Sequence, residues 1–189
     1  MSTNHEHRVC TYAEAEKAIR EADSLFVNNC FCRTPAKAGE AKWEYCGHDV
    51  ETCMGLREPR FEEDGPKYEY REIPREEALS KFEAWKEQHG FFRFMVNEEW
   101  ICFCCGCGCG FFRDEEGKKT RDSCTKSSFV ERTDGDACAF CGECVEVCAY
   151  GARSIQNDTM VVVAGDCYGC SACEPVCPEA AISMVARTQ

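Results

Sequence analysis

The sequence predicts an α+β fold in two parts: a cysteine-rich α+β domain over residues 1–125 and a pseudo-two-fold unit over residues 126–189. Three observations carry that expectation. The stretch ACAFCGECVEVCAYGA at 137–152 recurs as DCYGCSACEPVCPEAA at 166–181. A repeat in both the cysteines and the packing residues between them means one structural unit used twice. Upstream, helix-cap signals bound two helices followed by short apolar runs. Between the two parts lies a run of cysteines interleaved with glycine, a pattern no ordinary core requires.

The first element after a polar start is a helix over Thr11–Ala22. Thr11 and Glu14 have the spacing of a capping box, and Ala15, Ala18, Ile19 and Ala22 form a narrow apolar stripe. Ser24-Leu25-Phe26-Val27 reads as a short buried strand that delivers Cys30 and Cys32 at its end. Cys46 and Cys53 follow across a polar loop containing His48, and the charged stretch 57–72, with Pro59, Gly65 and Pro66, reads as an exposed excursion. Pro74 opens a second helix from Arg75 to about His89, with Ala78, Leu79, Phe82 and Trp85 at helical spacing and Gly90 as C-cap. Phe91, Phe92, Phe94 and Val96 form a strand returning to the core, and Trp85 and Trp100 join them there. Helix, glycine and strand in that order also fit a winged-helix unit. In the repeat region, Met160–Ala164 reads as an apolar strand.

The repeated cysteines carry chemistry. Cys138-x-x-Cys141-x-x-Cys144-x-x-x-Cys148 returns as Cys167-x-x-Cys170-x-x-Cys173-x-x-x-Cys177. Three cysteines at two-two spacing wrap one corner of an iron–sulfur cube and the displaced fourth reaches another cube, so two runs imply two 4Fe–4S clusters. Zinc also takes paired Cys-x-x-Cys, but it needs neither the third cysteine nor the displaced fourth. On these residues, the stretch from about Phe129 to Met184 resembles a bacterial-type two-cluster ferredoxin domain. The resemblance implies crossed wiring, with Cys138, Cys141, Cys144 and Cys177 on one cube and Cys167, Cys170, Cys173 and Cys148 on the other. The second run ends Cys177-Pro178 as the family does, whereas the first ends Cys148-Ala149. Alanine there is expected to loosen the turn that leaves the cluster.

Eleven cysteines precede residue 126, and five of them crowd Cys102-Phe-Cys104-Cys105-Gly-Cys107-Gly-Cys109. Glycines let a backbone fold tightly and aim amides at sulfur, so Cys102–Cys109 reads as a glycine-softened loop. An iron–sulfur site, a zinc or mixed-metal knuckle, and free redox-active thiols all fit this pattern; the adjoining repeat favours iron–sulfur. The whole chain resembles a group of iron–sulfur proteins of anaerobes. In that group a helix leads to Cys-x-Cys-Arg, then two spaced cysteines, a second helix and a CNCCGCCC run ahead of a dicluster ferredoxin domain. Here the run is CFCCGCGC. The resemblance implies one or two further clusters held by some of Cys30, Cys32, Cys46, Cys53, Cys102, Cys104, Cys105, Cys107 and Cys109. Cys10 and Cys124 read as ordinary thiols. His48 is either a surface residue or a group near a cluster.

Composition sets the remaining bounds. Nineteen cysteines in 189 residues, an odd count at metal spacing with no apolar leader after Met1, point to a reducing, anaerobic cytoplasm rather than a disulfide scaffold. A formal charge of −12 disfavours nucleic acid. It suits a redox partner protein with a basic docking patch, or simply keeps the surface solvated. No apolar run reaches the roughly 20 residues of a membrane helix, so no direct membrane insertion is expected. There is no Gly-x-Gly-x-x-Gly, phosphate loop or Ser–His–Asp signal, and no catalytic residue is predicted. The expected function is multi-cluster electron transfer, as a ferredoxin or as the electron-transfer subunit of an anaerobic oxidoreductase complex. Two alternatives stay open: a reductase whose N-terminal cluster is catalytic, and a redox or metal-sensing interaction module.

Overall fold

The structure is a computed structural model that describes residues 7–30, 48–58, 70–95, 98–106, 109 and 124–188. The first strand, β1 (Arg8–Cys10), leads into α1 (Tyr12–Glu21) and β2 (Phe26–Asn28). Next come β3 (Cys53–Gly55), β4 (Tyr70–Glu72), α2 (Arg75–Glu87), β5 (Phe91–Met95) and β6 (Trp100–Cys104). These strands form one six-stranded sheet in the order β1-β5-β6-β3-β2-β4, with every pairing antiparallel. The C-terminal segment adds β7 (Phe129–Thr133), the single-turn α3 (Glu143–Glu146), β8 (Arg153–Gln156), β9 (Thr159–Val162) and β10 (Ile182–Ala186). Its strands form two separate ribbons, β7–β10 and β8–β9.

Register decides what each sheet face carries. Side chains alternate across a strand, and residues directly opposite one another share a face. Cys10, Phe92 and Phe103 therefore stand in one row, and Phe94, Ile101, Met54 and Val27 in the next. This face packs on the helices. Phe92 meets Tyr12, Phe82 and Trp85 at ring separations of 5.3, 5.0 and 6.2 Å, and Trp85 stacks on Phe103 at 6.0 Å. The opposite face carries Val9, Arg93, Cys102, Cys53 and Asn28 in one row, with Phe91 opposite Cys104.

Both predicted helices form. Thr11 caps α1, and both arms of the capping box with Glu14 are present. The end of α2 differs from expectation. Its left-handed residue is His89, at φ 54°, and Gly90 has no positive φ. Gly90 is required for space instead: a Cβ there would overlap the Phe103 ring and lie 2.5 Å from the Cys104 carbonyl oxygen. The strand expected over 24–27 is β2 at 26–28, and part of the expected excursion at 57–72 forms β4, the exposed edge strand. Val96 and residues 59–69 lie outside the described residues. The helix–strand unit continues into the six-stranded sheet rather than into a winged helix. The strand expected at 160–164 is β9 at 159–162, one arm of a hairpin whose two turn residues, Asn157 and Asp158, both have positive φ. A two-residue loop of that kind is what a tight antiparallel ribbon demands.

The C-terminal segment is docked on the sheet rather than tethered beside it. Thr125 bridges Arg8 in a parallel pair, with Val9 N donating to Thr125 O at 3.0 Å. The expected division between residues 125 and 126 falls at this bridge. The Tyr12 amide donates to Ser171 Oγ at 2.8 Å, and Ala172 joins the helix-side core.

Candidate metal centres

Each repeated run folds its first three cysteines around a tight backbone turn. Phe140 and Gly142 take left-handed φ on either side of Cys141; Gly169 and Ser171 do the same around Cys170. A third such pair, Gly151 and Ala180, follows the fourth cysteine of each run. One backbone path is thus written twice, with glycine used at different points. At Gly169 the choice is forced, because a Cβ would overlap the Phe129 carbonyl.

The cysteines surround two cavities. Cys138, Cys141, Cys144 and Cys177 line one. Cys148, Cys167, Cys170 and Cys173 line the other. Each cavity is thus lined by three cysteines from one run and the fourth from the other. The donor chemistry fits iron–sulfur clusters: four cysteines line each cavity, and backbone amides point at the displaced ligands. Ala152 N lies 3.3 Å from Cys148 Sγ, and Ala181 N lies 3.3 Å from Cys177 Sγ. Burial pushes the Cys170 thiol up to about 12 and raises Cys173 as well.

The turn after Cys148 is not loosened by Ala149. Gly151 N donates to Cys148 O at 3.0 Å, matching Ala180 N to Cys177 O at 3.1 Å. Ala149 instead faces Gly106, where a Cβ would come within 3.2 Å of the alanine Cβ. The small residue at 149 lets the N-terminal cysteine segment approach the second cavity.

On the cysteine face of the large sheet, Cys53 and Cys102 are direct cross-strand partners with sulfurs 3.5 Å apart. Cys30 follows β2 and is held by its amide, which donates to Val50 O at 2.5 Å. The three sulfurs lie within 4.8 Å of one another. Cys104, two residues along β6, hydrogen-bonds with both Cys102 and Cys109. Cys105 is buried at the strand end, and its carbonyl accepts from Cys109 N at 3.3 Å. Cys32, Cys46 and Cys107 lie outside the described residues. His48 does not contribute to the three-sulfur group.

Two expectations change here. Cys102–Cys109 is not a loop throughout: Cys102 and Cys104 belong to β6, pointing away from the core that Ile101 and Phe103 enter. The alternation in Trp-Ile-Cys-Phe-Cys carried that signal, but the flanking glycines outweighed it. Cys124 does not stand alone either. Its sulfur accepts from Arg93 Nη1 at 3.1 Å, on a guanidinium only 1% exposed in the same face. Burial by itself would lower the Arg93 pKa, but its interactions with the sulfurs of Cys104, Cys109, Cys102 and Cys124 more than offset that and hold it raised. Cys10 lies on the helix side, fully buried, with its thiol raised by burial.

The two sulfur regions share a core. Cys30, Cys102, Cys104, Cys109 and Phe91 pack with Tyr150 and Tyr168, and Cys148 and Cys170 border the same cluster. Phe91 sits 5.3 Å from Tyr150, which stacks on Tyr168 at 4.2 Å. The N-terminal cysteines therefore adjoin the second cavity.

Against this geometry, residues 137–181 match the family model of the 4Fe-4S dicluster domain. The segment is a ferredoxin-type domain, and that domain implies iron–sulfur clusters. A search of curated proteins finds no match to the chain. Among the described residues no helix is long and apolar enough to cross a membrane.

Proposed function

We propose that the protein transfers electrons through several iron–sulfur clusters, as a ferredoxin or as the electron-transfer subunit of an anaerobic oxidoreductase complex. The observation that carries this reading is the continuity of sulfur-lined sites: two crossed quartets, then an aromatic contact, then the N-terminal cysteines. Cys138, Cys141, Cys144 and Cys177 would hold one 4Fe–4S cluster, and Cys148, Cys167, Cys170 and Cys173 the other. Cys30, Cys53 and Cys102, with Cys104, Cys105 and Cys109 beside them, would hold a further centre; Cys32, Cys46 and Cys107 complete the candidates. When bound, each cluster supplies a one-electron redox couple. The protein's own part is to space the thiolates, exclude water with Tyr150 and Tyr168, and aim amides at sulfur.

The partner in this reading is a protein with a basic docking patch. Cys141 and Phe140 are exposed at the first cavity, and the surrounding chain is acidic, with Asp134, Asp136, Glu143, Glu146 and Glu179 all exposed. Such a rim attracts cations and repels anions at a distance, most strongly at low salt. Small electron acceptors of opposite charge test this directly. Stopped-flow oxidation of the reduced protein by hexaamminecobalt(III) is expected to slow several-fold between roughly 0.01 and 0.15 M ionic strength, while oxidation by ferricyanide speeds up. Glu143→Gln and Glu179→Gln together should shrink both trends. Salt responses of the same sign for both acceptors would contradict an acidic docking face; a protein that takes up no electrons reversibly would contradict the function.

A further inference from the structure

We infer that Arg153, restrained by Glu131, is a shared charge between the two thiolate quartets that sets the redox balance of both clusters. This rests on the reading that the quartets hold clusters. Arg153 opens β8 and lines both cavities. Its side chain is 2% exposed and pairs with Glu131, 6% exposed, through Nη1 and Oε2 at 2.6 Å. Nη2 donates to Thr133 Oγ1 at 2.9 Å, and Thr133 in turn donates to Glu131 Oε2 at 2.7 Å. On the other side, Nη1 lies 4.0 Å from Cys173 Sγ, and Arg153 also lines the first cavity together with Cys144. Cys173 belongs to one quartet and Cys144 to the other, so one cation borders the ligands of both. Its Nε is buried with no hydrogen-bond partner, leaving a further donor in the sulfur-lined region.

The internal repeat shows that packing alone does not ask for this cation. In the register of the two runs, the position matching Arg153 is Ile182, a buried apolar residue lining the first cavity. A repeat that accepts isoleucine at one copy has room for an apolar residue at the other. An arginine there, held by a buried carboxylate from β7, answers to charge. A buried cation beside thiolate-bound centres favours the form with one more electron, and a carboxylate paired to it weakens that effect. Because the cation faces both quartets, it also lessens the repulsion that an electron on one side exerts on the next.

The test uses the full chain, with iron per chain measured first and both couples then read by anaerobic voltammetry or EPR-monitored titration. Arg153→Gln is expected to lower the reduced-to-oxidised ratio of both couples about tenfold at fixed potential, a downward shift of about 59 mV for a one-electron couple. Glu131→Gln is expected to move both in the opposite direction, and Arg153→Lys to stay nearer the parent than Arg153→Gln. General damage to packing has no reason to act with opposite signs in the two variants. With iron retained, unchanged ratios, shifts of like sign, or a shift in one couple alone would overturn the assignment. Should Arg153→Gln lose iron, Glu131→Gln decides: a rise in both couples supports it and no rise overturns it. A parent chain without iron in the quartets would overturn the functional reading itself.

Discussion

Stripping iron from the full chain with a chelator is expected to unfold the C-terminal segment while the helix-covered face of the large sheet survives. The two parts differ in what holds them. The N-terminal part buries Trp85, Phe82, Phe92, Phe103, Ile19 and Met54 in one continuous core. The C-terminal segment has two short ribbons and a single-turn helix, and its buried apolar residues are few and small apart from Tyr150, Tyr168 and Ile182. Thiolate–metal bonds must supply most of its stability, and in small metal-dependent domains that term is on the order of 10 kcal/mol. Amide hydrogen exchange reads the outcome. Protection in β7–β10 and β8–β9 should collapse, while amides of α1, α2 and β5 keep theirs. Equal loss in both parts would show that they fold as one metal-dependent unit. Retained protection in both would show that no metal holds the segment.

The second large effect is expected at Cys102. Its sulfur lies between Cys53, at 3.5 Å, and Cys104, and it is one of the three that converge within 4.8 Å. Serine has nearly the same shape but is a far weaker ligand for iron, so Cys102→Ser removes coordination with little loss of packing. Ile101 and Phe103 still fill the core, and β6 keeps its pairing with β3 and β5. Thermal stability of the apo chain should fall by only about 1–3 kcal/mol, the cost of placing a hydroxyl at a buried site. All iron beyond that of the dicluster domain should be lost, and the two C-terminal couples should remain reducible. Cys10→Ser, on the opposite face, should leave iron content untouched. Full iron in Cys102→Ser would remove the N-terminal centre from the account.

How much of this was legible beforehand depends on the kind of signal. The dicluster segment was legible because its ligands are fixed by covalent spacing and written twice, so sequence distance translates into geometry. The helices were legible from Thr11, Glu14 and Pro74, whose effects are local. The large sheet was not, because its strands are short and their pairings join distant residues, as when Arg8 meets Phe94. Short strands leave little periodicity to read. The C-cap assigned to Gly90 failed for a related reason. Glycine answers equally to left-handed backbone and to close approach, and only the tertiary neighbours Phe103 and Cys104 separate the two. Cys124 was missed because nothing near it in sequence hints at Arg93, which reaches it from β5.

Arg93 and Arg153 show the same limit from another side. Both are buried cations beside cysteine sulfur, one on each part of the chain. An arginine in a run such as Phe-Phe-Arg-Phe-Met reads as an interruption until the sheet register places it opposite Cys102. Once placed, it becomes part of the electrostatic setting of the thiolates, where a buried cation is stabilised by the negative charge it faces.

Iron and acid-labile sulfide per chain, measured on the anaerobically purified full-length protein alongside zinc, test the central claim most directly. Two clusters in the dicluster domain account for about eight iron atoms and as many sulfides. The N-terminal cysteines raise the expected value to about twelve to sixteen of each, with no stoichiometric zinc. About eight iron atoms accompanied by zinc would contradict the N-terminal iron–sulfur centre and leave a two-cluster ferredoxin carrying a zinc site.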